Sequence, residues 1–422
     1  MGSYIDLFAG CGGLSLGLRR AGWRLRFAVE AHTDAFATYK HNLLRDEDGS
    51  VEWPDWLPRE PHDIVKLLAD HPLSLAGIAG QVELIAGGPP CQGFSTNGRR
   101  NKDDPRNLMV SSYLELVRLV EPQIVLIENV RGFTSMRLRD GETFSDFVAG
   151  ELDRLGYDTW RSLLYASEWG VPQRRPRFFL VAVRKGLITG VDPFQRLRTF
   201  RRSFLEARGL PSDRPVSAAE ALGDLVTLGR ELELDPAFGK LGFRRLVYQE
   251  PGEMCGYIAR AREGADGSPT DMRLPQHSPA VAARFASILA TCERGRSISP
   301  RDRQRLGIKK RSTTPMSADM PSPTVTTLPD DIIHYAEPRI LTVREHARLQ
   351  SFPDWFSFQG PYTSGGPQRR TACPRYTQVG NAVPPLLAEA IGEMLGGLLT
   401  PLALKNRAKR EDVGEVARKV LA

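Results

Sequence analysis

Short apolar segments alternate with amphipathic ones over the first 185 residues, and this alternation limits the folds open to the chain. Apolar runs typical of buried strands occupy 4–8, 25–29, 82–86, 124–127 and 178–183. Segments with helical periodicity, such as 33–42 and 113–120, lie between them. Strands that alternate with helices predict a doubly wound, mainly parallel α/β sheet, with its chemistry at the carboxyl ends of the strands.

The alternation stops near Gly186, and the chain is then rich in Arg, Pro and Gly to about residue 329. We predict a catalytic domain over 1–185, a smaller irregular domain inserted over 186–375, and a segment, 376–422, that completes the first domain. Within the insert, 186–325 would form a variable region and 339–354 a supporting segment. Thr342 and Glu345 in that segment have the spacing of a helix capping box.

Composition narrows the class of protein. Of the 422 residues, 41% are hydrophobic and 25% charged, as in globular proteins. No apolar run approaches the ~18 residues of a membrane span, and no signal-peptide pattern opens the chain. We therefore expect a cytoplasmic protein without a membrane partner. The five cysteines are isolated and the seven histidines lack ligand spacing, which argues against disulfides and predicts no metal.

The net charge of +7 favours a polyanionic partner. Arginines and lysines crowd the segment 294–311, where they could contact phosphate groups. A solvated loop explains that segment equally well.

Two glycines and two prolines, Gly87 to Pro90, separate the apolar run 82–86 from a cysteine, Cys91. These residues predict an abrupt, rigid exit from the strand. An isolated cysteine is usually a small buried hydrophobe. A thiol on such an exit, however, lies at the carboxyl edge of the sheet, and this position favours a nucleophile.

A glycine-rich turn, Asp6 to Gly13, joins the first strand to the first helix. Glu30 closes the second strand, where a carboxylate can bind ribose hydroxyl groups. Asp63 could end a third strand and accept a hydrogen bond from an adenine amino group. Each acid alone is more often a surface charge, but together with the turn they indicate an adenosine-containing cofactor. Because the turn lacks the G-x-G-x-x-G fingerprint, S-adenosylmethionine is favoured over NAD.

Three further motifs follow in order: Glu128-Asn129-Val130, Gln173 to Arg177, and Gln378 to Pro385. With the proline-cysteine run, they resemble the DNA (cytosine-5)-methyltransferase family over the whole chain except about 186–320. The resemblance implies a Rossmann-like enzyme that transfers a methyl group from S-adenosylmethionine to C5 of a flipped cytosine in a specific double-stranded DNA sequence. It also implies a covalent bond between Cys91 and C6 of the base, and target recognition by 186–325.

The resemblance assigns roles residue by residue. Cys91 matches the nucleophile, Glu128 the acid at N3 of cytosine, and Arg175 and Arg177 an arginine pair near the base and its phosphate. The cofactor pocket would comprise Phe8, Ala9, Gly10, Gly12, Glu30, Asp63, Pro90, Leu108 and Asn381. Candidate DNA contacts are Gln92, Ser95, Arg99, Arg100, Arg305 and Arg311. The first four lie on a polar stretch, 92–105, that we interpret as a lid over DNA.

A single chain with a modest insert fits a bacterial modification enzyme, a monomer that protects host DNA from a partner restriction endonuclease. Three alternatives stay open: tRNA methylation by the same fold, an inert DNA-binding protein, and a nucleotide-linked oxidoreductase. The arginine-rich insert and Pro90-Cys91-Gln92 favour DNA over tRNA. The complete set of thiol, acid and arginines argues against an inert protein, and an oxidoreductase leaves the proline-cysteine run unexplained.

Overall fold

A computed structural model describes residues 2–45, 49–90, 105–137, 141–188, 190–363 and 371–399, with the backbone alone for 105–107. Its centre is a six-stranded sheet in the order β2-β1-β3-β4-β6-β5. The strands are Ser3–Leu7 (β1), Arg24–Val29 (β2), Leu84–Gly87 (β3), Ile124–Val130 (β4), Tyr157–Tyr165 (β5) and Pro176–Arg184 (β6). β6 runs against the other five. The predicted mainly parallel α/β sheet is confirmed.

Helices cover both faces of this sheet. Those contributed by the first part of the chain are Gly13–Arg20 (α1), Thr33–Leu43 (α2), Ile64–Asp70 (α3), Pro72–Ala76 (α4), Pro105–Val120 (α5) and Phe144–Arg154 (α6). Tyr4 of β1 packs in the apolar cluster that contains α1 and α2, whereas Ile5 packs in the cluster that contains α3 to α6. Because successive side chains of a strand point to opposite faces, the sheet lies between two helical layers.

The region after Gly186 contains shorter elements. Its helices are Pro193–Glu206 (α7), Ala218–Leu222 (α8), Gly256–Arg262 (α9), Pro279–Thr291 (α10) and Pro300–Arg305 (α11). Leu232–Leu234 (β7) pairs with Arg244–Leu246 (β8), and Thr314–Pro315 (β9) with Ile332–Ile333 (β10). Single 3₁₀ turns occur at Arg131–Thr134, Ala166–Trp169, Gly223–Leu225, Gly239–Leu241 and Pro329–Asp331.

Val343–Leu349 (α12) begins with the predicted capping box, in which Thr342 and Glu345 bond each other's backbone N–H groups. Every residue of α12 is buried, so the helix has no exposed polar face. Its charges are paired instead. Arg348 donates to Asp354 at 2.7 and 2.9 Å and to Asp224 of the irregular region at 2.8 Å. The buried ion pair between Arg348 and Asp224 therefore ties the supporting segment to the region 186–325.

The chain returns to the sheet through Arg375–Asn381 (α13) and a helix at 385–399. The span Arg375–Leu399 is long and apolar enough to cross a membrane, but 83% of its apolar window is buried in the protein, as expected of a core helix. It packs closely against α1. A β-carbon on Gly17 would overlap the carbonyl oxygen of Pro385 and lie 2.6 Å from the backbone nitrogen of Glu389. Glycine at this position therefore permits the close crossing of the two helices.

Candidate active site

Glu128 and Arg177 meet where β4 reaches its carboxyl end. Nε of Arg177 lies 2.8 Å from Oε1 of Glu128, and each side chain is 11% exposed. Burial raises the pKa of Glu128, although the neighbouring charges of Arg177 and Arg175 oppose the increase. Nη1 of Arg177 donates to the carbonyl of Pro176 at 2.8 Å, and its Nη2 makes no hydrogen bond among the described residues. The site thus combines a buried acid, whose pKa is raised by burial, with a cationic group whose Nη2 is unbonded among the described residues.

The exit from β3 runs beside this pair. Gly87 pairs with Leu7 of β1 on one side and with Ile127 of β4 on the other. Nδ2 of Asn129 then donates to the carbonyl of Pro89 at 2.9 Å. The backbone leading toward Cys91 is therefore held against the acid-bearing strand. Cys91, Gln92, Ser95, Arg99 and Arg100 lie outside the described residues, as does nearly all of the stretch interpreted as a lid.

Arg175 does not lie where the prediction of an arginine pair near the base and its phosphate would place it. It is fully buried, and its guanidinium donates to three carbonyl groups: Val325 at 2.8 Å, Gly380 at 2.7 Å and Ala382 at 3.1 Å. Burial lowers its pKa, and the nearby charge of Arg177 adds to that effect. Arg175 therefore joins the insert to the C-terminal segment, and only Arg177 of the pair contacts Glu128.

The turn after β1 has the conformation expected of a ligand-binding loop. Phe8, Gly10 and Gly12 have φ values of 57°, 55° and 95°, and a left-handed conformation at Phe8 is uncommon for a residue with a β-carbon. Oε2 of Glu30 accepts from the N–H of Gly10 at 2.9 Å, and Oε1 from the N–H of His32 at 2.7 Å. Burial raises the pKa of Glu30, and these two bonds oppose the increase. Each oxygen keeps a lone pair for a ribose hydroxyl, so the residues fit an adenosine cofactor.

Asp63 does not end a third strand, and that expectation is wrong. Among the described residues, the outer side of β2 pairs with no further strand and carries only an isolated parallel bridge between Leu25 and Val51. Asp63 instead caps α3, with Oδ1 accepting from the N–H groups of Val65 and Lys66. The neighbouring N–H of His62 donates to the carbonyl of Glu30 at 2.9 Å, which brings Asp63 close to the candidate ribose acid. Its Oδ2 makes no hydrogen bond within the described part of the chain.

The remaining cofactor candidates differ in exposure. Ala9 and Gly12 are buried, while Pro90, Leu108 and Asn381 are exposed, with Asn381 ending α13. Their exposure leaves the last three accessible to a ligand.

The two candidate DNA contacts in the insert also differ. Arg305 ends α11 and is engaged within the protein, 2.9 Å from both Asp302 and the hydroxyl of Thr291. Arg311 is exposed and has no ion pair among the described residues. Arg311 is therefore the freer candidate for a phosphate contact.

Sequence reasoning missed a buried acid beneath the glycine-rich turn. Asp6 is 1% exposed, and its Oδ2 accepts from the hydroxyl of Ser15 at 2.6 Å, which in turn lies 2.7 Å from the hydroxyl of Tyr39. Oδ1 has no partner among the described residues. Burial raises the pKa of Asp6 to about 7. The available signal was an acid inside an otherwise apolar strand.

Known proteins are similar to this chain in sequence. The family described as C-5 cytosine-specific DNA methylase matches residues 2–397. The type II methyltransferase M.DdeI of Desulfomicrobium norvegicum is 31% identical, over 95% of this chain and 90% of that protein. M.XorII of Xanthomonas oryzae is 30% identical, over 92% and 83%.

Solved structures of methyltransferases are similar to this chain in fold. A protein encoded within an E. coli prophage, and assigned to DNA modification methyltransferases, superposes with a TM-score of 0.63 at 25% identity, covering 94% of this chain and 99% of the other. The S. pombe Dnmt2 methyltransferase, at 18% identity, has the same fold, with a TM-score of 0.54 over 95% of this chain and 99% of that protein.

Proposed function

Because this chain belongs to the C-5 cytosine-specific DNA methylase family, we propose that it methylates C5 of a cytosine flipped out of double-stranded DNA, through a covalent bond between Cys91 and C6. It is a DNA (cytosine-5)-methyltransferase of the type II restriction–modification kind, and enzymes of this fold use S-adenosylmethionine as methyl donor. The observation that carries the finer proposal is the buried contact between Glu128 and Arg177 beside the strand exit that leads to Cys91.

The proposed reaction overcomes the weak nucleophilicity of cytosine C5. The thiolate of Cys91 adds to C6, and the electron pair released makes C5 a carbon nucleophile. C5 then takes the methyl group, a base removes H5 as a proton, and the bond between sulfur and C6 breaks to regenerate the thiolate. Because C6 is inaccessible in a stacked duplex, the base must leave the helix, which costs a few kcal/mol.

Glu128 and Arg177 would stabilise the charge that thiolate addition sends into the ring. Glu128 holds its proton to higher pH than an ordinary carboxyl group because it is buried, so it can share that proton with N3. The Nη2 group of Arg177, which is free among the described residues, can donate to O2. Arg175 would act at a distance, by joining the insert to the C-terminal segment.

S-adenosylmethionine supplies an electrophilic methyl group on a sulfonium centre when it is bound. Glu30 would hold the ribose hydroxyl groups and Oδ2 of Asp63 the adenine amino group. Phe8, Ala9, Gly10 and Gly12 would bring their backbone close to the cofactor. The exposed residues Pro90, Leu108 and Asn381 would complete the pocket.

DNA would lie along the end of the sheet, at the carboxyl ends of its parallel strands, that carries Glu128 and Arg177. We propose that Gln92, Ser95, Arg99 and Arg100 contact it there, and that Arg311 and the insert 186–325 bind phosphates and read bases. In this organisation, residues 1–185 and 376–422 form the catalytic domain. The enzyme would act as a cytoplasmic, nucleoid-associated monomer, protecting host DNA from a cognate endonuclease.

The covalent step is tested with duplex DNA that contains 5-fluorocytosine, in which fluorine replaces H5. Because a base cannot remove fluorine as it removes the proton, the covalent adduct is trapped. Wild-type protein should form a denaturation-resistant complex with this DNA, and Cys91→Ser should form none while still binding it. Cys255→Ser is the matched control, because Cys255 is an exposed cysteine of the insert. A Cys91→Ser variant that keeps substantial methylation would sink the assignment of the nucleophile.

The substrate is tested by methyl incorporation into duplex DNA and into tRNA. We expect incorporation into DNA, and activity on tRNA alone would contradict the proposal. Bisulfite sequencing of host DNA with and without the gene would then identify the methylated sequence.

A further inference from the structure

We propose that Gly88 is a positioning residue, whose missing side chain leaves the space in which the Glu128 carboxylate pairs with Arg177. The inference rests on the proposed function in one respect, the catalytic role of Glu128. Gly88 itself contacts no reacting atom in this proposal and acts only through the acid.

The contact is specific to the carboxylate. A β-carbon placed on Gly88 would lie 2.9 Å from Oε2 of Glu128 and 3.3 Å from its carbonyl oxygen, and, apart from the two chain neighbours, no other described residue approaches it within 4 Å. Gly88 is not among the glycines with positive φ, so its backbone does not require glycine. What glycine supplies here is space next to one functional group.

The backbone around Gly88 is fixed on both sides, so it cannot move away from an added methyl group. Gly87 packs so closely on β1 that a β-carbon there would overlap the carbonyl oxygen of Leu7. On the other side, the carbonyl of Pro89 accepts from Nδ2 of Asn129 at 2.9 Å. Asn129 is the neighbour of Glu128 on β4, so the exit from β3 and the acid are held to the same strand.

The carboxylate must therefore move instead. Its Oε1 is held by Nε of Arg177 at 2.8 Å, and Arg177 is held in turn by the carbonyl of Pro176. Displacing Oε2 changes the geometry of this pair. Since Oε2 is the end of a flexible side chain, the displacement costs little folding free energy. An added methyl group should thus impair catalysis while leaving the fold intact.

The experiment compares Gly88→Ala with Gly132→Ala. Gly132 follows Glu128 by four residues, and a β-carbon there would meet no described residue within 4 Å. We expect kcat to fall by tenfold or more in Gly88→Ala, about 1.4 kcal/mol in the barrier. Its melting temperature and its affinity for S-adenosylmethionine should match those of the wild type. Gly132→Ala should keep the wild-type kcat.

A double-mutant cycle tests whether Gly88 acts through the acid. If it does, adding Gly88→Ala to Glu128→Gln should lower kcat little further than Glu128→Gln alone. The methyl group would also displace the carboxyl group from Arg177, whose charge lowers its pKa. The alkaline limb of kcat against pH should therefore move upward in Gly88→Ala and be absent in Glu128→Gln and in the double variant.

Each contrary outcome has a distinct meaning. Wild-type kcat in Gly88→Ala, additive effects in the cycle, or an unfolded alanine variant would overturn the role of Gly88. The catalytic role of Glu128 would survive all three if Glu128→Gln alone is impaired. Wild-type kcat in Glu128→Gln would instead overturn that role, and with it both proposals.

Discussion

Arg175 and Arg177 lie two positions apart at the start of β6, yet their guanidinium groups have opposite surroundings. That of Arg175 is enclosed by the carbonyl groups of the insert and the C-terminal segment, and that of Arg177 faces the carboxylate of Glu128. Two identical side chains therefore have different contacts: Arg175 joins the insert to the C-terminal segment, and Arg177 pairs with Glu128.

Replacing each arginine by methionine should separate these tasks. Arg175→Met removes three hydrogen bonds from a buried charged group, so we expect it to lower the free energy of unfolding by about 3 kcal/mol or more. Arg177→Met should change stability little, since a buried Glu128 can stay protonated, but should lower kcat about 10²-fold. Urea denaturation and single-turnover kinetics on both variants check this. Equal losses of stability would contradict the division.

The pH dependence of methylation should show the raised pKa of Glu128. Because burial keeps the carboxyl group protonated above its ordinary range, the rate should fall only as the pH rises past that raised value. Glu128→Gln should lower the rate by roughly 10²-fold and remove this alkaline limb. Binding of S-adenosylmethionine, measured by calorimetry, should be unchanged. A variant that retains the same alkaline limb would show that another group produces it.

Asp6 should make the fold less stable as the pH rises. Its pKa is about 7 in the folded protein and ordinarily 3.8, so the folded state binds the proton more tightly than the unfolded state. Its contribution is therefore fully present below pH 3.8 and is lost as the pH rises to about 7. The loss should reach up to about 4 kcal/mol relative to Asp6→Asn.

Urea denaturation of wild type and Asp6→Asn between pH 4.5 and 8 measures this difference. Asp266→Asn, at an exposed position, is the control and should follow the wild type. Parallel pH profiles for wild type and Asp6→Asn would contradict the assignment.

Asp224 should stabilise the contact between the region 186–325 and the supporting segment 339–354. It pairs with Arg348, whose side chain is fully buried between Asp224 and Asp354. Asp224→Ala leaves that charge with one partner fewer, and we expect a loss of about 3–5 kcal/mol. Chemical denaturation checks the value, with the exposed Asp266→Ala as control. A loss below 1 kcal/mol would show that water or Asp354 alone satisfies Arg348.

Features that depend on neighbours in the sequence could be predicted. The apolar runs give five of the six strands, because a strand that is buried on both faces of the sheet is apolar on both faces. β5 was not identified, since it lies at the sheet edge and mixes buried and exposed residues. The cap at Thr342 was found because its partner, Glu345, is three residues away.

Features that depend on distant contacts could not be predicted. A motif cannot distinguish Arg175 from Arg177, because the carbonyl groups that enclose Arg175 lie 150 to 207 residues away. Asp63 was placed on a strand because the fold class suggested one, whereas its own side chain caps a helix. The role of Cys91 stays a prediction from its motif.

The packing of the last helix on the first has a consequence for how the chain folds. The indole N–H of Trp23 donates to the carbonyl of Gly392, across 369 positions of sequence. During synthesis, α1 emerges long before the helix at 385–399 that covers its apolar face. Contacts of such separation slow folding and leave apolar surface open to aggregation. The glycine-rich turn between β1 and α1 would therefore reach its final packing only after that helix is made, although its own residues are translated much earlier.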